Sequence, residues 1–342
     1  MKATHKVKLG LKLLVGVLAL VLISCSEEDK SRLLKQNVSG KAGEIIVVTD
    51  KSNWETEPGM ELRNVLAVEY PYLPQVEPSY TLINIAEKDF TNIFQIHRNI
   101  IYIKVDSEKF PEPELVSVED VWAAPQLVMY ITAPSKEAAA TLIKEKTSTI
   151  FNTFGQAERN RIIRNCKKFE ELGLRQLVAE QLGGSPYFPK GYSLKKKTDD
   201  FIWISCETTY INQGFLMYKL PYKDSTSVTL ENLIACRNDV MQKNVPGMFE
   251  NSYMTTSQEI VPGISWVKYK DKRFAEIRGL WEVKNDFMGG PFVMHTHYNP
   301  ENPTELIVIE AFVYAPRYDK RQYIRQVESI LYSFEWKKEF TK

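Results

Sequence analysis

Residues 305–334 read ELIVIEAFVYAPRYDKRQYIRQVESILYSF, and this stretch sets the architecture of the chain. Its first ten residues are rich in β-branched and aromatic side chains, which predicts a strand. Apolar residues then recur at helical spacing, which predicts a helix with one apolar side. The members of this stripe are Ile324, Val327, Leu331 and Phe334. Because such a side must be covered, the segment predicts a helix packed on a sheet.

The same two patterns recur along the chain and predict an α+β fold. Strand patterns cover residues 44–50, 80–85, 99–105, 126–132, 201–207, 214–220, 264–269, 273–282 and 292–297. Helical patterns cover 135–182, with breaks expected at Gly155 and Gly173, and a further helix follows Ser227. Since strands and helices do not alternate strictly, we expect two mostly antiparallel sheets, each covered by helices. The second half is weakly similar in layout to PsbP-like and Mog1-like domains.

A cluster of glycine and proline residues predicts the domain boundary. Gly183-Gly184-Ser185-Pro186 is followed by Pro189-Lys190-Gly191, and these residue types interrupt helices and strands. We therefore predict an N-terminal α+β domain over residues 42–184 and a C-terminal α+β domain over residues 190–338.

The N-terminus predicts a lipoprotein signal peptide over residues 1–24. A lysine-containing start precedes the uncharged stretch Leu13 to Ile23, which is too short to span a bilayer. Leu22-Ile23-Ser24-Cys25 resembles the lipobox of bacterial lipoproteins, which implies cleavage before Cys25 and lipidation of its sulfur and its new amino group. Residues 25–41 would then be a lipidated tether. The alternatives are a plain secreted protein and an inner-membrane anchor.

The acidic residues behind Cys25 refine the expected location. Ser26-Glu27-Glu28-Asp29 resembles the export signal of some Bacteroidota lipoproteins. The resemblance implies an outer-membrane lipoprotein that is surface-exposed.

Charge and cysteine content exclude two classes of protein. Residues 1–24 contain four lysines and no acidic residue, so their removal changes the formal net charge from +1 to −3. A slightly acidic chain argues against nucleic acid as a partner. The sparse cysteines Cys166, Cys206 and Cys236 exclude a disulfide framework. We expect them to be small buried hydrophobes; one bridge with one free thiol is the alternative.

The best metal candidate is the pair His295 and His297. Residues two apart on a strand point to one face, so both imidazoles could reach one ion, with Glu305 or Glu310 as a third ligand. The alternative is that Phe292 and the other residues of its face are the core side, which would leave both histidines exposed. The chain contains no HExxH, GxSxG or P-loop motif and no GxGxxG after a strand.

Two further groups are candidates for ligand contacts. The basic residues Arg159, Arg161, Arg164, Lys167 and Lys168 are expected to form a solvated helix face; a site for lipid headgroups or acidic glycans is the alternative. The rings of Tyr70, Tyr72 and Tyr80, in a proline-rich loop, are expected to pack on their own sheet; stacking on sugars or on a protein partner is the alternative.

Four blocks of the chain stand out, at residues 40–48, 94–100, 278–292 and 311–316. They resemble lipoproteins from Bacteroidota that are grouped as domain of unknown function 4837 (DUF4837). The resemblance implies a lipid-anchored envelope protein without an assigned activity. Two of these blocks also contain or adjoin polar turn residues, which makes them the candidate ligand or partner site. These residues are His97, Arg98, Trp281, Asn285 and Asp286. The alternative is that they hold turns and strand ends.

We therefore expect a lipid-anchored envelope protein that is a non-enzymatic binding or assembly module without a cofactor. Its expected contacts are the membrane, through the lipid on Cys25, and an envelope protein or a glycan. The alternative is an envelope hydrolase or a metal-dependent enzyme with a site near His295 and His297.

Lipidation predicts a chemical tag that depends on one sulfur atom. Cells grown with a radioactive fatty acid should label the wild-type chain, and Cys25→Ala should lose the label because no thiol remains to be alkylated. Gel autoradiography of the captured protein measures this. A Cys166→Ala control should stay labelled, and retention of label by Cys25→Ala would contradict the anchor.

Overall fold

The computed structural model describes residues 35–340. The predicted signal peptide, Cys25 and residues 26–34 of the predicted tether lie outside the described residues. Contacts divide the chain into two compact units, of which the first includes residues 35–61 and 82–145 and the second includes residues 62–81 and 146–340.

The first unit contains a sheet with strand order β3-β2-β4-β7-β5. Its strands are β1 (Gln36–Asn37), β2 (Glu44–Val48), β3 (Thr81–Ile85), β4 (Asn99–Val105), β5 (Glu114–Glu119), β6 (Ala123–Ala124) and β7 (Leu127–Ala133). Its helices are α1 (Lys51–Trp54), α2 (Glu57–Leu66, whose last turn belongs to the second unit), α3 (Asn92–Gln95) and α4 (Lys136–Glu145).

The prediction of a mostly antiparallel first sheet is wrong at the centre of this sheet. Strands β2 and β4 pair in parallel, as do β4 and β7, whereas β5 runs antiparallel to β7. Strands β2 and β4 are almost continuously apolar and buried. This is the pattern of parallel strands covered on both faces, and the chain between each pair is long enough to cross over.

The second unit contains an antiparallel sheet, as predicted, and the α+β class is confirmed. The strand order is β12-β14-β15-β16-β11-β10-β9, and β13 also pairs with β14. The strands are β8 (Gly184–Ser185), β9 (Ser193–Lys197), β10 (Phe201–Glu207), β11 (Asn212–Pro221), β12 (Met254–Thr256), β13 (Gly263–Tyr269), β14 (Lys272–Val283), β15 (Gly289–Tyr298), β16 (Glu305–Tyr314) and β17 (Glu335–Trp336). The helices are α5 (Thr147–Lys168), α6 (Leu172–Leu182), α7 (Leu230–Asn244) and α8 (Arg321–Leu331).

The large sheet is covered on both faces. Helix α8 packs its predicted stripe on one face, against residues such as Ile307 and Ile309 of β16. Helix α7 packs on the other face, against Leu306 and Val308 of the same strand. Both sets of alternate side chains are therefore buried, and polar residues on the central strands must find partners inside the protein.

The helical stretch of residues 135–182 differs from its prediction in two respects. It breaks near residue 146 and residues 169–171, whereas Gly155 lies inside the continuous helix α5. By contacts, residues 146–184 group with the second unit, although the sequence pattern placed them in the N-terminal domain. The reason is packing: α6 contributes Leu174, Val178 and Leu182 to the core beneath the large sheet.

None of the helices between residues 35 and 340 combines the length and the apolar character that crossing a membrane requires.

The face covered by α7 contains a buried ion pair. Arg237 of α7 donates two hydrogen bonds to Glu310 of β16, at 2.8 and 2.6 Å, and both side chains are fully buried. Arg237 also donates to the hydroxyl of Thr256 and lies over the Phe292 ring. A pair of this kind joins the helix to the sheet, and removal of one partner leaves a buried charge without compensation.

The ion pair predicts an asymmetric response to mutation. Arg237→Met should lower the free energy of unfolding by about 3–5 kcal/mol, because Glu310 loses its counter-ion. Arg237→Met with Glu310→Leu should recover most of that loss, since no buried charge remains. Urea unfolding followed by circular dichroism measures the difference.

Lys243 supplies the matched control on the same helix. Its ion pair with Asp200, at 3.2 Å, is largely exposed, so Lys243→Met should change the unfolding free energy little. A double variant at 237 and 310 that is as unstable as Arg237→Met would contradict this account.

Candidate functional site

A cavity of about 490 Å³ lies in the second unit, and its walls come from four segments. These are residues 70–80, helix α5, helix α8 and strands β13 and β14. Exposed residues such as Asn152 and Lys268 line it together with buried ones, so the cavity communicates with solvent. Its volume is that of a small-molecule site.

Helix α8 brings a carboxylate to the cavity. Glu328 accepts hydrogen bonds from Arg278 at 2.8 Å, from Arg159 at 3.3 Å and from the Tyr70 hydroxyl at 2.9 Å. Arg159 of α5 lies over the Tyr332 ring, with its guanidinium carbon 3.7 Å from the ring centroid. Glu328 therefore joins α8 to α5, to β14 and to the segment before β3.

A second buried carboxylate continues this network behind the cavity wall. Glu276 of β14 accepts from Arg278 at 2.9 Å and from the Tyr332 hydroxyl at 2.7 Å, and it meets Nε2 of His295 at 3.0 Å. Arg278 thus lies between two carboxylates, one on its own strand and one on α8.

The electrostatics of the network keep both carboxylates ionised. Burial alone would raise the pKa of Glu276, but Arg278 and the hydrogen bonds from His295 and Tyr332 hold it far below its usual range. Burial would likewise raise the pKa of Glu328, and Arg278 and Arg159 lower it overall. Burial raises the pKa of Tyr80 to about 12, against the influence of Arg325, so this phenol stays protonated at neutral pH.

Among the described residues, Arg325 of α8 is a buried cation of the cavity without a carboxylate partner, whereas Lys268, which also lacks one, is exposed. Arg325 is 8 % exposed, and its Nη2 donates to the Ser79 carbonyl at 2.8 Å. Its guanidinium carbon lies 4.7 Å from the Tyr80 ring centroid and 5.5 Å from that of Tyr70. Its Nη1 is buried and makes no hydrogen bond.

Gly155 of α5 keeps space open beside this cation. It lines the cavity in the interior of a long helix, where glycine costs about 1 kcal/mol relative to alanine. A methyl group there would lie 3.5 Å from the Tyr80 hydroxyl, an ordinary contact distance. A longer side chain at this position would therefore project toward Tyr80 and occupy the cavity.

The two candidate metal ligands are buried, contrary to the expectation that they lie on an exposed face. His295 is fully buried and faces α8, where its Nε2 must donate to Glu276 because an ionised carboxylate only accepts. Glu310, the expected third ligand, lies on the opposite face and binds Arg237. Glu305 pairs with Lys219. Between residues 35 and 340, no three His, Cys, Asp or Glu side chains are close enough together to hold a metal ion. Glu305 and Glu310 are thus engaged elsewhere, and a metal site at His295 and His297 stays a prediction.

Both histidines are held neutral. Burial lowers the pKa of His295 and outweighs the opposing influence of Glu276. Burial, with smaller contributions from His295 and Lys272, puts the pKa of His297 well below its usual value. The ring of His297 stacks on Phe334, with centroids 4.7 Å apart, and its Nε2 makes no hydrogen bond.

The predicted site residues of the first unit hold strand ends. His97 is buried, and its Nδ1 lies 3.0 Å from the Asn99 carbonyl, while its own carbonyl accepts from Gln126 at 2.7 Å. The backbone N–H of Arg98 donates to Ser39. These contacts fit the structural alternative, and a ligand role for His97 and Arg98 stays a prediction.

The predicted site residues of the second unit do not form one group. Trp281 is buried in the sheet and donates from Nε1 to the Val313 carbonyl at 3.3 Å. Asn285 and Asp286 lie in the β14–β15 turn, where Asn285 takes a positive φ of 64° and Asp286 accepts from the N–H of Phe287. These contacts hold a turn, and a ligand role for the three residues stays a prediction.

The basic run on α5 is not one solvated face. Arg161 is buried and pairs with Glu158 at 3.1 Å, and Arg159 lines the cavity, whereas Arg164 is exposed. In the sequence, the burial of Arg161 was indicated only by Glu158, three residues earlier, which can pair with it on a helix. Tyr70 and Tyr80 are buried, as expected for rings that pack on their own fold, yet both also line the cavity.

The cysteines Cys166, Cys206 and Cys236 are free thiols, with Cys166 buried and the other two half-buried. Burial raises the pKa of each thiol, which makes them poor nucleophiles.

The neutral histidines predict a loss of stability in weak acid. The unfolded chain binds a proton on each histidine below about pH 6.5, whereas folded His297 does not until a much lower pH. Its contribution is therefore complete above pH 6.5 and is lost as the pH falls. His297→Phe should reduce the slope of unfolding free energy between pH 6.5 and 5 by up to about 1.4 kcal/mol per pH unit. Urea unfolding across this range measures it.

Tyr298→Phe, on the same strand, is the control and should keep the wild-type slope. An unchanged slope in His297→Phe would show that folded His297 is protonated in this range.

Comparison with known proteins gives two family matches. Residues 172–333 match the model of a domain of unknown function, DUF4837, and residues 38–167 match that of another, DUF8532. Two of the four blocks that resemble DUF4837, at residues 40–48 and 94–100, lie in the part that matches DUF8532. No curated protein matches the chain.

Among solved structures, the human StarD13 (DLC2) lipid transfer and protein localization domain is similar over 48 % of this chain and 95 % of its own. It is 11 % identical to this chain, with a TM-score of 0.22. By sequence, the second half of the chain is thus similar to the DUF4837 family and the first half to the DUF8532 family, both of unknown function.

Proposed function

We propose that this chain is a lipid-anchored protein of the cell envelope and that its second unit is a binding module with the cavity as its ligand site. The lipid on Cys25 and the outer-membrane, surface-exposed location rest on the lipobox and on the acidic residues behind it. The expected envelope protein or glycan partner would reach the chain through that location.

The observation that carries the binding role is the cavity itself. Side chains from four separated segments enclose about 490 Å³, and they are held by the hydrogen bonds of Glu328 to three of those segments. A site prearranged in this way loses little conformational entropy when a ligand binds. Gly155 supports the same conclusion, because an interior glycine weakens α5 and keeps the space open.

The arrangement of the histidines favours binding over the enzymatic alternative. An enzyme near His295 and His297 would need an imidazole that reaches a substrate. His295 and Glu276 do form a pair with lowered pKa values, but neither lines the cavity of about 490 Å³, and the imidazole of His297 lines a separate cavity of about 300 Å³. Within the described part of the chain, the walls of the cavity of about 490 Å³ contain no histidine and no cysteine.

Filling the cavity should remove the ligand without unfolding the protein. Protein captured from envelopes of its native cells should release a small molecule on denaturation, and Gly155→Leu should release less of it because the leucine occupies the space beside Tyr80. Mass spectrometry of the released molecules, normalised to protein, measures this.

Gly173 offers a matched control, since it lies on α6 with no atom within 4 Å of an added methyl group. Gly173→Leu should retain the ligand. Gly155→Ala should fold and gain about 1 kcal/mol of stability from helix propensity. Identical released molecules in all variants, or none in the wild type, would count against the binding role.

A further inference from the structure

The charges around the cavity do not cancel. Arg159, Arg278 and Arg325 carry three positive charges, whereas Glu276 and Glu328 carry two negative ones. Beside them, Arg161 pairs with Glu158, whereas Glu77 accepts from the backbone N–H of Arg321 and the guanidinium of Arg321 donates to the Pro78 carbonyl. The first five side chains thus carry one more positive than negative charge, and the exposed Lys268 on the cavity wall adds a further positive charge.

The surplus lies at Arg325. The two carboxylates of the network are bound by Arg278, and Glu328 is also bound by Arg159. Arg325 has only the Ser79 carbonyl, a neutral acceptor, as a hydrogen-bond partner for Nη2, and its Nη1 has none. A buried guanidinium in this state is costly unless an anion reaches it.

Aromatic rings fix the direction of this guanidinium. Tyr80 and Tyr70 lie against Arg325, so they restrict its motion and leave its N–H groups as the donors. Arg159 is held in the same way over Tyr332, and its Nε is also buried without a hydrogen bond. A planar fork of donors held by rings is suited to carboxylate and phosphate groups.

We propose that the ligand of this cavity carries an oxyanion group, either a carboxylate or a phosphate, and that Arg325 binds it. This inference rests on the binding role proposed above and adds the chemical class of the ligand. Arg325 supplies the charge and the free donor, Ser79 and the two tyrosines hold it in place, and Arg159 is a second donor on the same cavity.

The remaining walls indicate what the anion is attached to. Phe151, Val267 and Tyr269 present apolar surface, and Gln156 and Asn152 present amide groups at the same cavity. The volume exceeds what an inorganic anion needs and suits a small organic molecule. The ligand is therefore an organic acid or phosphate ester with an apolar or aromatic body.

Four probes test the class of the ligand in the purified full-length chain without its lipid. Benzoate and phenyl phosphate carry the two candidate anions on an aromatic body, benzamide is the neutral counterpart, and inorganic phosphate lacks the body. Isothermal titration at constant ionic strength should show that the wild type binds at least one aromatic anion at least about tenfold more tightly than benzamide. The tighter of the two anions identifies the source as carboxylate or phosphate.

Substitution of Arg325 should remove this preference. Arg325→Gln should weaken binding of the preferred anion at least about tenfold and leave benzamide unchanged. Arg325→Lys keeps the charge without the fork and should fall between the two. Arg164→Gln removes the same charge from an exposed position on α5 and should bind as the wild type does. Near-ultraviolet circular dichroism checks that each variant is folded.

The outcomes separate this inference from the binding role. If benzamide binds as tightly as the anions, if neither anion binds, or if Arg325→Gln binds them normally, the ligand is not an oxyanion read by Arg325. The binding role still stands in those cases if Gly155→Leu loses the small molecule that the wild type releases. If Gly155→Leu keeps that molecule and also binds the probes, both proposals fail. Should Arg325→Gln not fold, Arg325→Lys and Gly155→Leu provide the same comparison.

Discussion

The arrangement of the second unit depends on the two ion pairs of the Arg278 guanidinium. This guanidinium binds Glu276 on its own strand and Glu328 on helix α8, so it connects the sheet to the helix that covers it. Its pKa is raised further above its already high ordinary value, although burial opposes this, by the two carboxylates on either side. Burial of charged groups costs about as much free energy as their mutual attraction returns, so these ion pairs add little to net stability. Here they fix the position of α8 relative to β14, and Arg325 and Tyr332 take their places from that position.

Coverage of the large sheet on both faces follows from the same arrangement. Each central strand has to accommodate polar residues on either side, and the structure does so with separate networks. Glu310 and Arg237 form one beneath α7, whereas Glu276 and Arg278 form the other beneath α8. The two networks differ in their surroundings. The network beneath α7 is enclosed in the core, whereas the network beneath α8 borders a cavity.

Much of the fold could be predicted from local patterns, and the failures have physical causes. The strands at 99–105, 201–207 and 305–314 were predicted with their exact bounds, since β-branched runs end at turn residues. The direction of pairing in the first sheet was not predictable from such runs, because an apolar strand can pair either way. The exposure of the two faces of β15 was not predictable, because alternating polar and apolar residues indicate one buried face only when the other face is exposed to solvent. Both faces of β15 are covered, so His295 is as buried as Met294.

The candidate site was hidden for a different reason. Arg159 and Arg325 are arginines on amphipathic helices, a position that usually faces solvent. The rings that cover them are distant in sequence, Tyr70 and Tyr80 for Arg325 and Tyr269 and Tyr332 for Arg159, and no local pattern indicates such contacts. The block at residues 278–292 contains Arg278, but its turn residues Asn285 and Asp286 were predicted as the site residues. Gly155 was the local feature that pointed to the cavity, but a glycine at this position predicted a helix break, which the structure does not have.

The two family matches divide the chain at a different place from its compact units, and the cavity straddles that division. Tyr70, Tyr80 and Arg159 lie in the part that is similar to DUF8532, whereas Arg325 and Glu328 lie in the part that is similar to DUF4837. Neither segment alone holds both a tyrosine cradle and the guanidinium that rests in it. If natural selection maintains the cavity, the two segments must be inherited together. A gene that encoded only one of them would produce a protein without the complete cavity.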